Sequence, residues 1–315
     1  MRNFADRLTE AIAAKNNPTV MGLDPKLEYI PDSIIENANS LFDDPARSTA
    51  EAILMFNKGL IDSVCDIIPA VKPQSAFYEL YGIEGMRALD ATIEYAQSKG
   101  LLVILDAKRN DIGNTAQAYA AGLLGKTQIA DGSFVSMTGA DAVTVNGYLG
   151  KDGIAPFIEV SKEEGSGIFC LVRTSNPSAC DLQDLELKDG RLVYKAMAEL
   201  VNEWGQELIG ESGFSSVGAV VGATWPEQAV EARALMPNAI ILVPGYGAQG
   251  AGPDAAVASF TADGKGSIVN ASRSLMCAWK AREGKTREDF MECTREEAID
   301  MRDKLNAALA DRKYV

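Results

Sequence analysis

The chain has no histidine, so lysines and carboxylates whose ionisation the fold arranges are the best available source of proton transfer. One stretch gathers such groups. Residues 102–116 read LVILDAKRNDIGNTA, an apolar, β-branched run that ends in Asp106, Lys108, Arg109 and Asp111. Near-continuous hydrophobicity of this kind marks a buried strand. Asp106 and Lys108 stand two residues apart, a spacing that turns both side chains to one face of a strand. A lysine held among carboxylates keeps its proton through charge pairing, yet can deliver it to a carbanion formed beside it. The same spacing also suits a structural ion pair closing the end of a core element.

The elements that would carry these residues recur along all 315 positions. Short apolar runs at 19–23, 67–71, 101–105, 142–145, 168–172, 217–221, 240–243 and 267–269 read as strands. Helical patterns lie between them at 46–63, 83–99, 115–124, 153–164, 193–209 and 226–235, the last opened by Pro226 at its first turn. Eight strands alternating with helices predict an α/β fold, a (β/α)8 TIM barrel in a single domain spanning 1–315. The barrel core would run from about 18 to 280, with an N-terminal helix before it. A doubly wound open sheet is the rival, but no GxGxxG follows the first strand. Residues 25–45 read as a long connection after the first strand. Residues 286–315 read as a C-terminal helical extension, helical to about 311, with Phe290, Met291, Ala298, Met301 and Leu305 on one face.

In such a barrel, functional groups stand at the C-terminal ends of the strands. Those ends carry Asp24; Lys72 and Gln74; Asp106 and Lys108; Thr144 and Asn146; Arg173 to Asn176; Thr224; Pro244 to Gly247; and Asn270 to Arg273. The glycine-rich segment 244–252, PGYGAQGAG, leaves the seventh strand, and Arg273 ends the eighth. Loops after strands seven and eight form the usual phosphate site of these barrels, and a guanidinium fork suits phosphate oxygens. A flexible surface loop with an ordinary surface arginine is the alternative reading.

A formal net charge of −14 speaks against nucleic acid or an anionic membrane as partner. No stretch approaches the roughly 20 apolar residues that span a bilayer. The five cysteines have no CxxC spacing and there is no histidine to join them, so no zinc site is expected and the thiols read as reduced. Charges interrupt the first fifteen residues, which read as an amphipathic helix and not a signal peptide. These features together predict a soluble, cytoplasmic protein.

DAKRNDIGNTA, with its D-x-K-x-x-D-I core, resembles the signature of the orotidine 5′-phosphate decarboxylase family. GLDP at 22–25, VKPQSAFYE at 71–79, RTSNPS at 173–178, VPGYGAQG at 243–250 and NASRS at 270–274 resemble it too. Together they resemble the longer bacterial form, type 2, in unbroken order from Phe4 to Trp279. The resemblance implies decarboxylation of orotidine 5′-phosphate to UMP in pyrimidine biosynthesis, without metal, thiamine or pyridoxal. It implies Lys108 as the proton donor to C6, with Asp106, Asp111 and Lys72 completing an alternating charge array. Asp24 and Lys72 would bind ribose hydroxyls, with Thr115 near the ribose. Ser175, with Asn176, would meet the pyrimidine edge. Gln249 and Arg273 would hold the 5′-phosphate, with Pro244, Gly245 and Gly247 beneath the ring. In the family, the equivalents of Asp111 and Thr115 reach the neighbouring subunit's site, which implies a homodimer with shared active sites. Shorter members commonly have glycine where this chain has Ser272. Two other readings stay open. One is a Mg-dependent keto-sugar-phosphate decarboxylase or aldolase of the same suprafamily, which shares a lone D-x-K-x-x-D. The other is a non-catalytic nucleotide-phosphate sensor.

Overall fold

The computed structural model describes residues 1–247 and 250–312. Among these residues ten strands form: β1 Thr19–Leu23, β2 Ala70–Pro73, β3 Leu102–Arg109, β4 Thr127–Gln128, β5 Phe134–Val135, β6 Ala142–Val145, β7 Gly167–Arg173, β8 Ser215–Val221, β9 Ala239–Val243 and β10 Ser267–Ala271. Eight of them close a barrel in the order β1-β10-β9-β8-β7-β6-β3-β2, every neighbouring pair parallel. Helices on the outside connect them, as parallel pairing requires. The fold is the (β/α)8 barrel expected from the alternation of runs. Among the described residues, no helix is long and apolar enough to cross a membrane.

Alternation along the strands fills the barrel. Val20, Ala70, Ile104, Ala142, Phe169, Val220, Ile240, Leu242 and Ile268 form one apolar cluster with Phe4 and Leu8. The residues between them, such as Met21, Val103, Leu105, Ile168 and Cys170, pack against the helices in a second cluster. The helix Phe4–Lys15 is capped by Asn3, whose side chain accepts the Ala5 N–H at 2.7 Å. It delivers Phe4 edge-on to Phe169, with ring centroids 6.0 Å apart. That pair closes the N-terminal end of the barrel, and each buried ring contributes about 2 kcal/mol. Two residues further along β2, β3, β6 and β10, the inward positions turn polar: Lys72 follows Ala70, Asp106 follows Ile104, Thr144 follows Ala142 and Asn270 follows Ile268.

The structure departs from the sequence reading at four places. The connection 25–45 contains a helix, Asp32–Leu41, preceded by a 3-10 turn at Leu27–Tyr29. β2 begins at Ala70, because Ile67 and Ile68 donate to Val64 O and belong to the preceding turn; apolar content alone does not separate a buried turn from a strand. A small antiparallel hairpin, β4 with β5, stands outside the barrel and has no hydrophobic run to announce it. The C-terminal helix Phe290–Asp311 buries Phe290, Thr294, Ala298, Met301, Leu305 and Ala308, whereas Met291, one step off that stripe, is exposed. Its first residue, Phe290, lies 5.0 Å from the Phe56 ring, on the helix Pro45–Val64.

Just past the β1–β10 pairing the two segments approach closely. A Cβ built on Gly22 would lie 1.9 Å from Ser272 Oγ. Ser272 itself has φ −111°, which any residue adopts, so this position places no demand for glycine. We therefore expect Gly22→Ala to lower stability to urea by about 1–3 kcal/mol through overpacking. Adding Ser272→Gly should recover most of that loss. An unchanged midpoint in the single variant, or no recovery in the double, would contradict this contact.

Candidate active site

Asp106 is the centre of the polar layer. It is 7% exposed and its carboxylate accepts four hydrogen bonds. Oδ2 takes one from Lys72 Nζ at 2.6 Å and one from Gln74 Nε2 at 3.0 Å. Oδ1 takes one from Lys108 Nζ at 2.5 Å and one from Thr144 Oγ1 at 2.8 Å. Burial alone would raise its pKa, but the two ammonium groups and their hydrogen bonds more than offset this and hold the carboxyl well below the usual carboxylate range. Lys72 is the mirror case. Burial would lower its pKa, yet Asp106 and then Asp24 keep it charged and push it above the ordinary lysine value. The two lysines differ in access: the Lys72 side chain is 5% exposed and that of Lys108 45%. Lys72 is locked between carboxylates, and Lys108 is the ammonium that a bound molecule can reach.

Simple alternation does not deliver Lys108. Leu105 pairs with Val143 and Arg109 with Val145, so four steps along β3 face two along β6. This bulge places Lys108 at φ +49°, the left-handed region, at a cost of about 1–2 kcal/mol for a non-glycine residue. Its peptide N–H donates to Thr144 Oγ1 at 2.9 Å. The approach of Asp106 and Lys108 expected from their spacing is present, but an irregular backbone produces it.

Two cavities flank this array and share Lys72, Asp106 and Pro244. The first, about 460 Å³, is polar and includes Asp24, Lys26, Asn270 and Arg273, with Gly245 on its edge. The second, about 440 Å³, holds Lys108, Ser175 and Asn176 against an apolar wall of Leu171, Val220 and Leu242. Asp24 Oδ1 and Asn270 Oδ1 are buried and find no hydrogen-bond partner among the described residues. Buried acceptors of this kind call for donors such as hydroxyls, and the cations of the same lobe call for an anion. The cleft therefore suits a molecule with an anionic, hydroxyl-bearing end and a flatter end lying beside Lys108. A cavity of similar size, about 470 Å³, lies at the opposite end of the barrel near Ile12, Phe260 and Leu309, away from the charge array.

The loops around the cleft are held from behind. Ser175 fits over Gly222, where a Cβ would come within 2.8 Å of Ser175 Cβ. Arg173, ending β7, is buried; it donates to Gln228 at 2.6 Å and Gln183 at 3.2 Å and pairs with Asp184 at 3.0 Å. Gln183 in turn accepts the Thr174 N–H at 2.9 Å, and Thr174 Oγ1 donates to Asn176 Oδ1 at 2.6 Å. In the glycine-rich loop, Gly245 and Gly247 take φ values of +100° and +68°, and Gly247 N–H closes onto Ala251 O at 3.1 Å. Gly247 is exposed and lines neither lobe. Gln249 lies outside the described residues.

Asp111 and Thr115 are not brought to the cleft of their own chain. The Asp111 carboxylate accepts the neighbouring Ile112 N–H at 2.8 Å, Thr115 is exposed in the first turn of the helix Gly113–Leu124, and neither residue lines either lobe. The alternating array within one chain is Asp24, Lys72, Asp106 and Lys108, with Asp111 standing apart. Lys26 joins the site unannounced by the sequence, and Gln74, Thr144 and Asn270, strand-end residues to which no role was assigned, join it too. Three of these were open to detection: Gln74, Thr144 and Asn270 continue the inward every-second-residue series of their strands.

A family model, described as the orotidine 5′-phosphate decarboxylase / HUMPS family, matches residues 48–284. A relative from Rhodopirellula baltica, named orotidine 5′-phosphate decarboxylase, is 43% identical over 308 residues, which cover 97% of this chain and 99% of that protein. One of the same name from Caldicellulosiruptor saccharolyticus is 37% identical, covering 98% of this chain and all of its own. The solved Leishmania donovani OMP decarboxylase superimposes with a TM-score of 0.72 at 29% identity, covering 98% of this chain and 100% of that one. With a match across three quarters of its length and full-length relatives of one name, the chain belongs to the orotidine 5′-phosphate decarboxylase / HUMPS family.

Proposed function

We infer that this chain is a carboxy-lyase that decarboxylates orotidine 5′-phosphate to UMP, a step of pyrimidine biosynthesis. Beside the family relationship, the observation that carries the reading is the Asp24–Lys72–Asp106–Lys108 array standing where the two lobes meet. The phosphate and ribose occupy the polar lobe. Arg273 and Gln249 hold the phosphate, and Asp24 and Lys72 take the ribose hydroxyls. The pyrimidine lies in the second lobe over Pro244, its edge toward Ser175 and Asn176. The C6–carboxylate bond breaks, its electron pair stays on C6 and CO2 leaves. Lys108 Nζ then gives C6 its proton and is recharged from solvent.

The chemical difficulty is a carbanion in the ring plane with no π system to take up its charge. An ammonium fixed beside C6 stabilises that charge without reorganising, in a lobe whose apolar wall keeps water from competing. Asp106 has two roles: it orients Lys108, and it stands next to the departing carboxylate, where like-charge repulsion weakens ground-state binding. The remote phosphate supplies binding energy that assembles the site around the reacting bond. Enediolate chemistry on a sugar phosphate would want a metal-binding carboxylate at the end of β2, the position of Lys72.

For assembly, the reading is a homodimer in which Asp111 and Thr115 complete the partner's site. Its support is that neither residue lines its own cleft, and that Ile112, next to Asp111 in the chain, and Leu149, which crowds Gly153 together with Asp111 O, leave apolar side chains exposed. The whole chain acts as one barrel domain. Cysteines without a pairing motif fit the reducing cytoplasm, where the nucleotide pool resides.

Two experiments test this. Loss of orotidine 5′-phosphate absorbance should proceed unchanged in EDTA, and Lys108→Ala should abolish it, by a factor of at least ~10³, while still binding UMP. EDTA-sensitive turnover, or near-normal turnover by the variant, would contradict the mechanism. For shared sites, mixing inactive Asp111→Ala with inactive Lys108→Ala subunits should restore activity through hybrid dimers. No recovery despite demonstrated subunit exchange would remove that part of the reading.

A further inference from the structure

Thr144 lies on β6 opposite the bulge of β3 and is 1% exposed. Its hydroxyl performs two tasks at once. It accepts the peptide N–H of Lys108 at 2.9 Å and donates to Asp106 Oδ1 at 2.8 Å. A hydroxyl is the smallest side-chain group able to do both, since it carries one donor and two acceptor lone pairs. The β-branched threonine also suits a strand and has few rotamers to leave. On either side the strands are pinned, Leu105 against Val143 and Arg109 against Val145. The slack in β3 is therefore confined to the three residues Asp106, Ala107 and Lys108, and Thr144 is the side chain that spans them.

We propose that Thr144 is a positioning residue for the decarboxylation: its hydroxyl holds Lys108 in the left-handed backbone conformation that aims the ammonium into the cleft, and ties that conformation to the carboxylate of Asp106. Left-handed backbone is unfavourable for lysine, so something must hold it there, and the bond from the Lys108 N–H to Thr144 does so. Without that acceptor the N–H would face the Thr144 site unpaired, and a return of residue 108 toward extended backbone would satisfy it elsewhere while swinging Nζ off Asp106. Thr144 borders the lobe that holds Lys108, but it is almost fully buried and its donor is spent on Asp106, so it acts through its two neighbours. The inference rests on Lys108 being the proton donor.

The test compares Thr144→Val, which keeps the shape and removes the hydroxyl, with Thr144→Ser, which keeps the hydroxyl. The valine variant should lose about 100-fold in kcat, the scale of a small misplacement of a catalytic group, with the Kd for UMP within about threefold of the parent. Serine should restore most of the kcat. In a crystal structure of the valine variant, Lys108 should have left the positive-φ region or Nζ should have parted from Asp106. If valine is not tolerated, Thr144→Ala, which only removes atoms, is read in the same way. A kcat loss below about tenfold, an equal loss of UMP affinity, or serine no better than valine overturns the proposal. Lys108→Ala run alongside separates the causes. An active Lys108→Ala protein would mean the proton-donor reading has failed. An inactive one beside an unimpaired Thr144→Val protein would mean only the role of Thr144 has failed.

Discussion

Asp106 is a carboxylate sunk into the mouth of a barrel and kept ionised there by two ammonium groups, Lys72 at 2.6 Å and Lys108 at 2.5 Å. A buried charge of this kind is tolerable only with its partners in place, because desolvation costs several kcal/mol per ion and pairing must offset it. Much of the surrounding structure serves that balance. Gln74 and Thr144 fill the remaining acceptor sites of Asp106, Asp24 supports Lys72 from the other side, and the apolar layer below, with Ile104 and Phe169, keeps the array from sinking further. The sign of its pH dependence follows from the depressed pKa of Asp106. The stabilisation is fully present above the unfolded carboxylate value of about 4 and fades as pH falls below it.

The same constraint divides the work between the two lysines. Lys72 has carboxylates on both sides and almost no exposure, so it fixes the electrostatic field. Lys108 has one carboxylate, an open side and a strained backbone, so it can meet a reacting atom. Strain at a single residue is a common cost at functional sites, and the surrounding structure must over-determine it. Here the over-determination is visible in the pinned strand pairs around the bulge and in the hydroxyl of Thr144. The lobes extend this division: cations and unpaired acceptors gather at one end, and an apolar wall faces Lys108 at the other.

The barrel was legible in the sequence because each inward-facing strand is a nearly unbroken apolar run, and because polar residues recur at all eight strand ends. The gathering of Asp24, Lys72, Ser175 and Arg273 around the cleft follows from their places at the strand ends. The bulge at Lys108 was not legible. DAK reads as regular alternation, and only the register of β3 on β6 shows that two extra residues are absorbed there. Asn270 and Gln74 stand visibly at strand ends, but their role is not legible there, since a neutral amide shows what it does only when its partners are known. The helix Asp32–Leu41 was obscured by the Pro, Asn and Asp residues that suggested a loop. Asp111 lies five residues beyond Asp106, past the end of the strand, where the spacing rules that placed Asp106 no longer apply.

In the proposed reaction a nucleotide bridges the two lobes, with its pyrimidine C6 at Lys108 and its phosphate at Arg273. A crystal structure of the protein with UMP tests it most directly. Lys108 Nζ should lie about 3–3.5 Å from C6, the distance of a group poised to react, with the 5′-phosphate on Arg273 and the ribose hydroxyls on Asp24 and Lys72. UMP bound with its phosphate beside Lys108, or its base in the polar lobe, would contradict it.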